Sequence, residues 1–358
     1  MVLDDPAATA RIDRTNVLRL VSRFGAMLLD GWSAAAILSP VRPRPAVVVA
    51  AGVGGSGIGG DVLRVLLAPV AAVPVVSVKD DRLPAFVGPQ TLVCACSYSG
   101  HTAETLAMFD AARAAGATIV AITSGGALAE RARAAQVRLV GVPAAMPPRA
   151  ALPYTLAAML RVMSAAGLAG PDEEGVREAA GLLEDLAGRR GPAVPAAHNP
   201  AKQLALRIGD AMPVIYAASS LTAPAAARWK TQCNENAKRL AAWDVFPELT
   251  HNEIVGWAGD TPAASGRFVV LLRDPEDGPG AQGQIAATRE LAFARARGIE
   301  EVWAQGIGRL ARLLSLIQLG DYVSVYLALL RGVDPAPVDV ITAVKTRMQE
   351  GPPPRGTL

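Results

Sequence analysis

Two hydroxyl-rich turns are the first residues of this chain whose types and spacing could do chemistry. The apolar run Ala46–Ala51 opens into Gly52-Val53-Gly54-Gly55-Ser56-Gly57-Ile58-Gly59-Gly60-Asp61, and a second run, Thr91–Cys96, ends in Ser97-Tyr98-Ser99-Gly100-His101-Thr102. A buried strand, a glycine turn and a helix start make an anion site, because free backbone N–H groups and the positive end of the helix dipole face the turn. Ser56, Ser97, Ser99 and Thr102 add hydroxyl donors, and Gly100 lets the backbone approach a ligand closely. One such turn is accounted for by hydroxyls that cap helices and satisfy turns. Two on neighbouring strands point instead to a single phosphate held from several sides.

The acid–base candidates lie in the second half. In Arg228-Trp229-Lys230-Thr231-Gln232-Cys233-Asn234-Glu235-Asn236-Ala237-Lys238, helical spacing puts Arg228, Gln232, Glu235 and Lys238 or Arg239 near one face. An ordinary helix would show this as a solvated face of ion pairs. Asn234 and Asn236 weaken that reading, since Asn is a poor helix former and has no local reason to flank a glutamate. A lone carboxylate among amides and bases suits proton transfer. The segment Glu248-Leu249-Thr250-His251-Asn252-Glu253 carries one of only three histidines. His251 stands equally open to proton transfer near neutral pH and to a packing role. His198, in a Pro-rich segment, reads as a surface residue, and His101 stands inside the second turn.

The elements that must position these residues alternate. Strands are expected at 46–51, 73–77, 91–96, 117–122 and 137–142, with helices after the Ser56 turn and at 102–115, 126–135 and 150–167. Such alternation predicts a parallel sheet covered on both faces. Before it, Arg11 to Leu38 has helical periodicity that Pro40, Pro43 and Pro45 end. After it, 173–190 reads as a charged, exposed linking helix. The pattern then restarts with a strand at Pro213–Ala217, a helix from Ala223 to Ala242, a strand at Phe268–Leu272, a helix at 282–297 and a short strand at 301–304. A long helix at 308–331 and a last one at 338–349 follow, ahead of a tail from Pro352. The expected division is 1–45 helical, 46–168 a first α/β domain, 169–205 a link, 206–332 a second domain and 333–358 a C-terminal helix and tail.

Composition narrows the classes. With 358 residues, 51% of them hydrophobic and 19% charged, the chain can bury two cores. A net charge of +3 with scattered Lys and Arg argues against a nucleic-acid surface. Three cysteines suit a reducing cytoplasm, and Cys94 and Cys96 read as core residues because no further Cys or His cluster completes a metal site. The acidic start Met1-Val2-Leu3-Asp4-Asp5 lacks the order of a signal peptide. Leu310–Leu330, the most apolar stretch, is interrupted by Arg312, Gln318, Gly320 and Asp321, which argues against a membrane span. Gly52-x-Gly54-x-x-Gly57 has dinucleotide-fingerprint spacing, but no acidic residue directly ends the next strand, and no Gly-Lys-Ser/Thr follows. NAD and ATP fit poorly.

Taken together, the motifs resemble the bifunctional phosphoglucose/phosphomannose isomerases, built from two sugar-isomerase (SIS) domains. The resemblance rests on Gly54-Gly55-Ser56-x-Ile58-Gly59-Gly60-Asp61, Ser97-Tyr98-Ser99-Gly100-x-Thr102 and Pro148-Arg149-Ala150-Ala151-Leu152-x-Tyr154. It continues through Asn234-Glu235-Asn236-Ala237-Lys238, His251-Asn252-Glu253, Asp321-Tyr322-x-Ser324-x-Tyr326-Leu327-Ala328 and Gly332-Val333-Asp334-Pro335-x-Pro337-Val338, ahead of Lys345. It covers 45 to 348 and implies an α/β fold of two tandem SIS domains, each a three-layer parallel sheet flanked by helices.

The resemblance also implies an activity: interconversion of glucose 6-phosphate, and of mannose 6-phosphate, with fructose 6-phosphate. Gly55, Ser56, Ser97, Ser99 and Thr102 would hold the 6-phosphate. Glu235 would move the proton between C2 and C1 through a cis-enediol(ate), and Arg149 would stabilise the intermediate's negative charge. His251 would open the sugar ring with Lys345, and in this family the histidine comes from the second subunit of a homodimer. No cofactor or metal is implied, since a carboxylate shuttling one proton needs no Lewis acid. Two departures stand out: His101 where the family more often has Asn, and Gly57 where Ala is common. The alternatives are a non-catalytic phosphosugar sensor on the same fold, or an isomerase of another phosphosugar.

Overall fold

The computed structural model describes residues 2–259 and 261–349, so the expected tail from Pro352 lies outside the described residues. Two all-parallel sheets organise the chain. The first has five strands, β1 (Val47–Ala51), β2 (Val75–Val78), β3 (Thr91–Cys96), β4 (Thr118–Thr123) and β5 (Arg138–Gly141), in the order β2-β1-β3-β4-β5. The second has four, β6 (Met212–Ala217), β7 (Ala242–Val245), β8 (Arg267–Arg273) and β9 (Gly298–Trp303), in the order β7-β6-β8-β9.

Near-continuous apolar runs form these strands because both faces of each sheet are covered. Successive side chains alternate between faces. Leu92, Cys94 and Cys96 enter one core while Val93 and Ala95 enter another. In β8, Phe268, Val270 and Leu272 join the first of these cores, and Val269 and Leu271 join a third. One core is therefore shared by the inner faces of both sheets, and each outer face has its own.

The helix Arg309–Leu330 runs through the shared core, with every residue from Leu310 to Leu329 buried. It is long and apolar enough to cross a membrane, yet 94% of its most apolar window is buried inside the fold, so it is a core helix here. It packs against the helices Glu173–Arg190, Pro200–Ile208 and Ala223–Glu235.

Four expectations change. The N-terminal helix is three, Pro6–Ile12, Val17–Ser22 and Phe24–Ala34. Asn16 adopts the left-handed conformation, and Asp13 accepts from the Val17 and Leu18 amides at 2.7 and 3.0 Å, restarting the chain. The helix Glu173–Arg190 is no exposed link, since it buries Val176, Ala179, Ala180, Leu183 and Leu186 against the Phe24–Ala34 and Arg309–Leu330 helices. The helix starting at Ala223 stops at Glu235 rather than Ala242, and Lys238 then turns the chain at φ 52°. That turn frees Ala242–Val245 to become β7, an edge strand with no glycine or proline before it to announce it. Finally, the helix expected at 282–297 is Pro279–Leu291, and the last strand begins at Gly298 rather than 301.

Candidate active site

β1 and β3 are parallel neighbours, so their C-terminal turns lie side by side. The Tyr98 amide donates to Ser56 Oγ at 3.0 Å, tying one turn to the other. The Ser97 hydroxyl donates to Thr102 Oγ1 at 2.9 Å, and Ser99 Oγ accepts from the His101 amide at 3.3 Å. None of these hydroxyls caps the helices that follow: Ile58–Leu67 and Ala103–Ala114 both begin without a side-chain cap. The Ile58 amide donates to the Gly54 carbonyl at 3.3 Å, whereas no side chain caps the first turn of Ala103–Ala114, an arrangement that favours an anion. Gly100 has φ +71°, and a Cβ there would stand 1.9 Å from the Gly125 carbonyl oxygen, so only glycine serves. At position 57 a Cβ would fall 2.6 Å from the Gly52 carbonyl oxygen, so this turn leaves no room for an alanine. His101 is exposed, with its imidazole against the turn at Gly126.

Gly55 connects this cradle to the second half. The backbone of Arg149 passes so close that a Cβ on Gly55 would meet its Cα at 3.0 Å. The side chain, 3% exposed, then crosses to the end of the Ala223–Glu235 helix. Its Nε donates to Asn236 Oδ1 at 2.6 Å and Nη1 to Glu235 Oε2 at 3.2 Å. Nη2 donates to the carbonyls of Pro335 and Ala336 at 2.6 and 3.0 Å. Burial pulls the Arg149 pKa down, the Glu235 carboxylate pulls it back up, and the nearby Arg228 again lowers it. Glu235 itself keeps a quarter of its side chain exposed. It is thus held on one side and open on another, as a proton acceptor must be.

Arg228 and Gln232, expected on the face of Glu235, complete the support through partners the sequence did not pair with them. Arg228 makes a bidentate pair with Asp321, at 2.9 and 2.8 Å, and also donates to the Arg149 carbonyl at 2.9 Å. Gln232 donates to Asp321 at 2.9 Å, and Asn236 Nδ2 to Ser324 Oγ at 2.8 Å. The available signal was polar residues inside the long apolar helix. Read along the chain, Asp321 is an interruption; in the fold it is the partner of Arg228.

His251 is not brought to this cluster within the chain. β6 and β7 are parallel, so the helix between them runs back and leaves Glu235 at the opposite end of the sheet from the segment after β7. Four residues of β7 alone span roughly 13 Å at the usual strand rise. His251 is exposed at the end of the 3-10 turn Glu248–His251. Lys345 is exposed on the helix Asp339–Gln349, whose approach through Pro335 and Ala336 covers Arg149. His198 is exposed, as expected, and Cys94 and Cys96 are core residues whose thiols burial pushes up to about 12.

Two serine turns, a buried arginine and a carboxylate are thus carried by two parallel sheets. The profile of the bacterial phospho-glucose isomerase C-terminal SIS domain matches residues 197–348. A bifunctional phosphoglucose/phosphomannose isomerase of Caldicellulosiruptor bescii is 41% identical over 303 residues, covering 85% of this chain and 89% of that protein. One from Aquifex aeolicus is 35% identical over 308 residues, covering 85% and 90%. A glucose-6-phosphate isomerase-like protein from Thermus thermophilus shares the fold, with a TM-score of 0.64 at 24% identity over 97% of this chain and 98% of its own. The chain belongs to the bifunctional phosphoglucose/phosphomannose isomerase family, and it is an enzyme of the isomerase class.

Proposed function

We propose that this chain interconverts glucose 6-phosphate and mannose 6-phosphate with fructose 6-phosphate. The observation that carries the reading is Arg149, lodged between the Gly55 turn and Glu235 at 3.2 Å. A sensor would need the phosphate cradle but no buried arginine clasping a carboxylate beside it.

The phosphate dianion sits on Gly55 and Ser56 of one turn and on Ser97, Ser99 and Thr102 of the other, against two uncapped helix ends. Glu235 removes the C2 proton of the open-chain aldose and returns it at C1. Arg149 stabilises the negative charge that develops on the enediolate oxygen, as a fixed cation in a water-poor site does. Both aldose epimers give the same enediol, so one base and one pocket tolerant at C2 serve both. Ring opening falls to His251, supplied by the second subunit of a cytoplasmic homodimer, acting with Lys345. The placement of His251 within the chain supports that reading, since it and Glu235 lie at opposite ends of the second sheet. So does the helix Asp339–Gln349, which exposes Val340, Val344 and Met348 at four-residue spacing. A helix this short is marginal unless something packs on it. In this reading residues 46–168 and 206–332 are the two SIS domains, joined by 169–205.

The test is a coupled assay on fructose 6-phosphate without added metal, reading glucose 6-phosphate through its dehydrogenase and mannose 6-phosphate separately. Both products are expected. Binding of fructose 6-phosphate with neither product formed would leave the sensor instead.

A further inference from the structure

Glu253 is the half-buried end of the segment that carries His251, and it belongs neither to the serine turns nor to the Arg149 cluster. Its carboxylate accepts from the Tyr216 hydroxyl, and the Tyr216 oxygen accepts from Trp257 Nε1 at 2.7 Å. Tyr216 is fully buried on β6, stacked on Phe293 at 5.1 Å, with Trp257 edge-on to the same ring at 5.1 Å. The other end of the segment is fixed by the Phe246 amide, which donates to the Ala217 carbonyl at 2.9 Å, and by buried Leu249. Between these anchors His251 makes no hydrogen bond or ion pair among the described residues; only the turn's backbone aims it.

The anchor is chemically costly. Glu253 lies beside the Asp244 carboxyl, and the Arg267 guanidinium stands 5.9 Å from the centre of the Trp257 ring. Burial and that second carboxyl raise its pKa. A glutamate kept where ionisation is disfavoured is better explained by the shape it imposes than by its charge.

We propose that Glu253 is a positioning residue for ring opening, fixing through Tyr216 and Trp257 the angle at which the loop presents His251. The proposal rests on His251 being the ring-opening group. It requires a hydrogen-bond acceptor at position 253, not a negative charge.

The experiment compares two ketoses. Fructose 6-phosphate must be opened. 5-Deoxyfructose 6-phosphate has no C5 hydroxyl, cannot close, and reports proton transfer alone, read as deuterium uptake at C1. Glu253→Ala should lower kcat on fructose 6-phosphate on the order of 10²-fold, the cost of about 1 Å of misplacement, and leave the acyclic ketose almost unchanged. Glu253→Gln, whose amide oxygen still accepts from Tyr216, should restore both. Equal loss on the two ketoses, or no loss on fructose 6-phosphate, would overturn the proposal. Should Glu253→Ala not fold, Tyr216→Phe removes only the hydroxyl and decides by the same comparison. His251→Ala separates the two ideas. If it spares the acyclic ketose while the Glu253 and Tyr216 variants do not, the proposal alone fails. If it impairs both ketoses alike, the ring-opening reading fails and the proposal with it.

Discussion

Arg149 has five N–H donors, and the protein takes four of them, for Asn236, Glu235 and the carbonyls of Pro335 and Ala336. The guanidinium is therefore fixed before substrate arrives, and it offers its charge more than its fork. A lysine cannot satisfy this set, having three donors on a flexible stem. Arg149→Lys should lower kcat by about 10²-fold, comparable to losing one donor to a developing oxyanion. Steady-state kinetics in both directions would check this. Glu235 is the group for which binding and turnover should part. Glu235→Gln keeps the acceptor oxygen facing Arg149 but cannot take a proton from carbon. Its kcat should fall by about 10²–10⁴-fold, the usual worth of general base catalysis, with the Kd for fructose 6-phosphate by calorimetry nearly unchanged. Normal turnover in that variant would remove Glu235 as the base.

At the scale of elements, two helices carry the site from behind. Ala223–Glu235 presents Arg228, Gln232, Glu235 and Asn236 toward the cluster, and Arg309–Leu330 answers with Asp321 and Ser324. The Arg228–Asp321 pair is almost wholly buried, with side chains 2% and 4% exposed. Removing one member leaves the other charged and unpaired in a low-dielectric core. Asp321→Ala should cost about 3–5 kcal/mol of stability, measured by urea denaturation. A loss within about 1 kcal/mol would mean water or a neighbour replaces the carboxylate. Much of this scaffold was legible in advance. The apolar runs of β1, β3, β6 and β8, the glycine turns and the helices after them follow from local pattern, since strand alternation and turn chemistry act over a few residues. β7 was not legible, because the helix before it is stopped by Lys238 in a left-handed conformation rather than by glycine. The burial of Glu173–Arg190 was missed too, its charged face hiding the apolar stripe from Val176 to Leu186.

For the molecule as a whole, the decisive question is where His251 acts. Within one chain it stands at the end of the second sheet opposite Glu235. If the site is completed by a second copy, mixing two inactive variants should restore activity. In a hybrid of Glu235→Gln and His251→Ala subunits, one site has the intact glutamate of one chain and the intact histidine of the other. The mixed and reassembled variants should recover a substantial fraction of wild-type turnover. No recovery, with hybrid dimers confirmed by native mass spectrometry, would place both groups in the same subunit.

Chemistry and local form were written in the sequence itself: which residues can accept protons, which turns can cradle a phosphate, and that two α/β halves follow one another. Those signals travel within a turn or a strand, where spacing alone brings side chains together. Tertiary structure alone decided that Arg149 meets Glu235 across 86 residues and that Arg228 meets Asp321 across 93. It also decided that Glu253 is tied to Tyr216, and that His251 lies away from Glu235. Contacts at such separations leave no period in the sequence, because they are fixed by packing the two halves on one shared core.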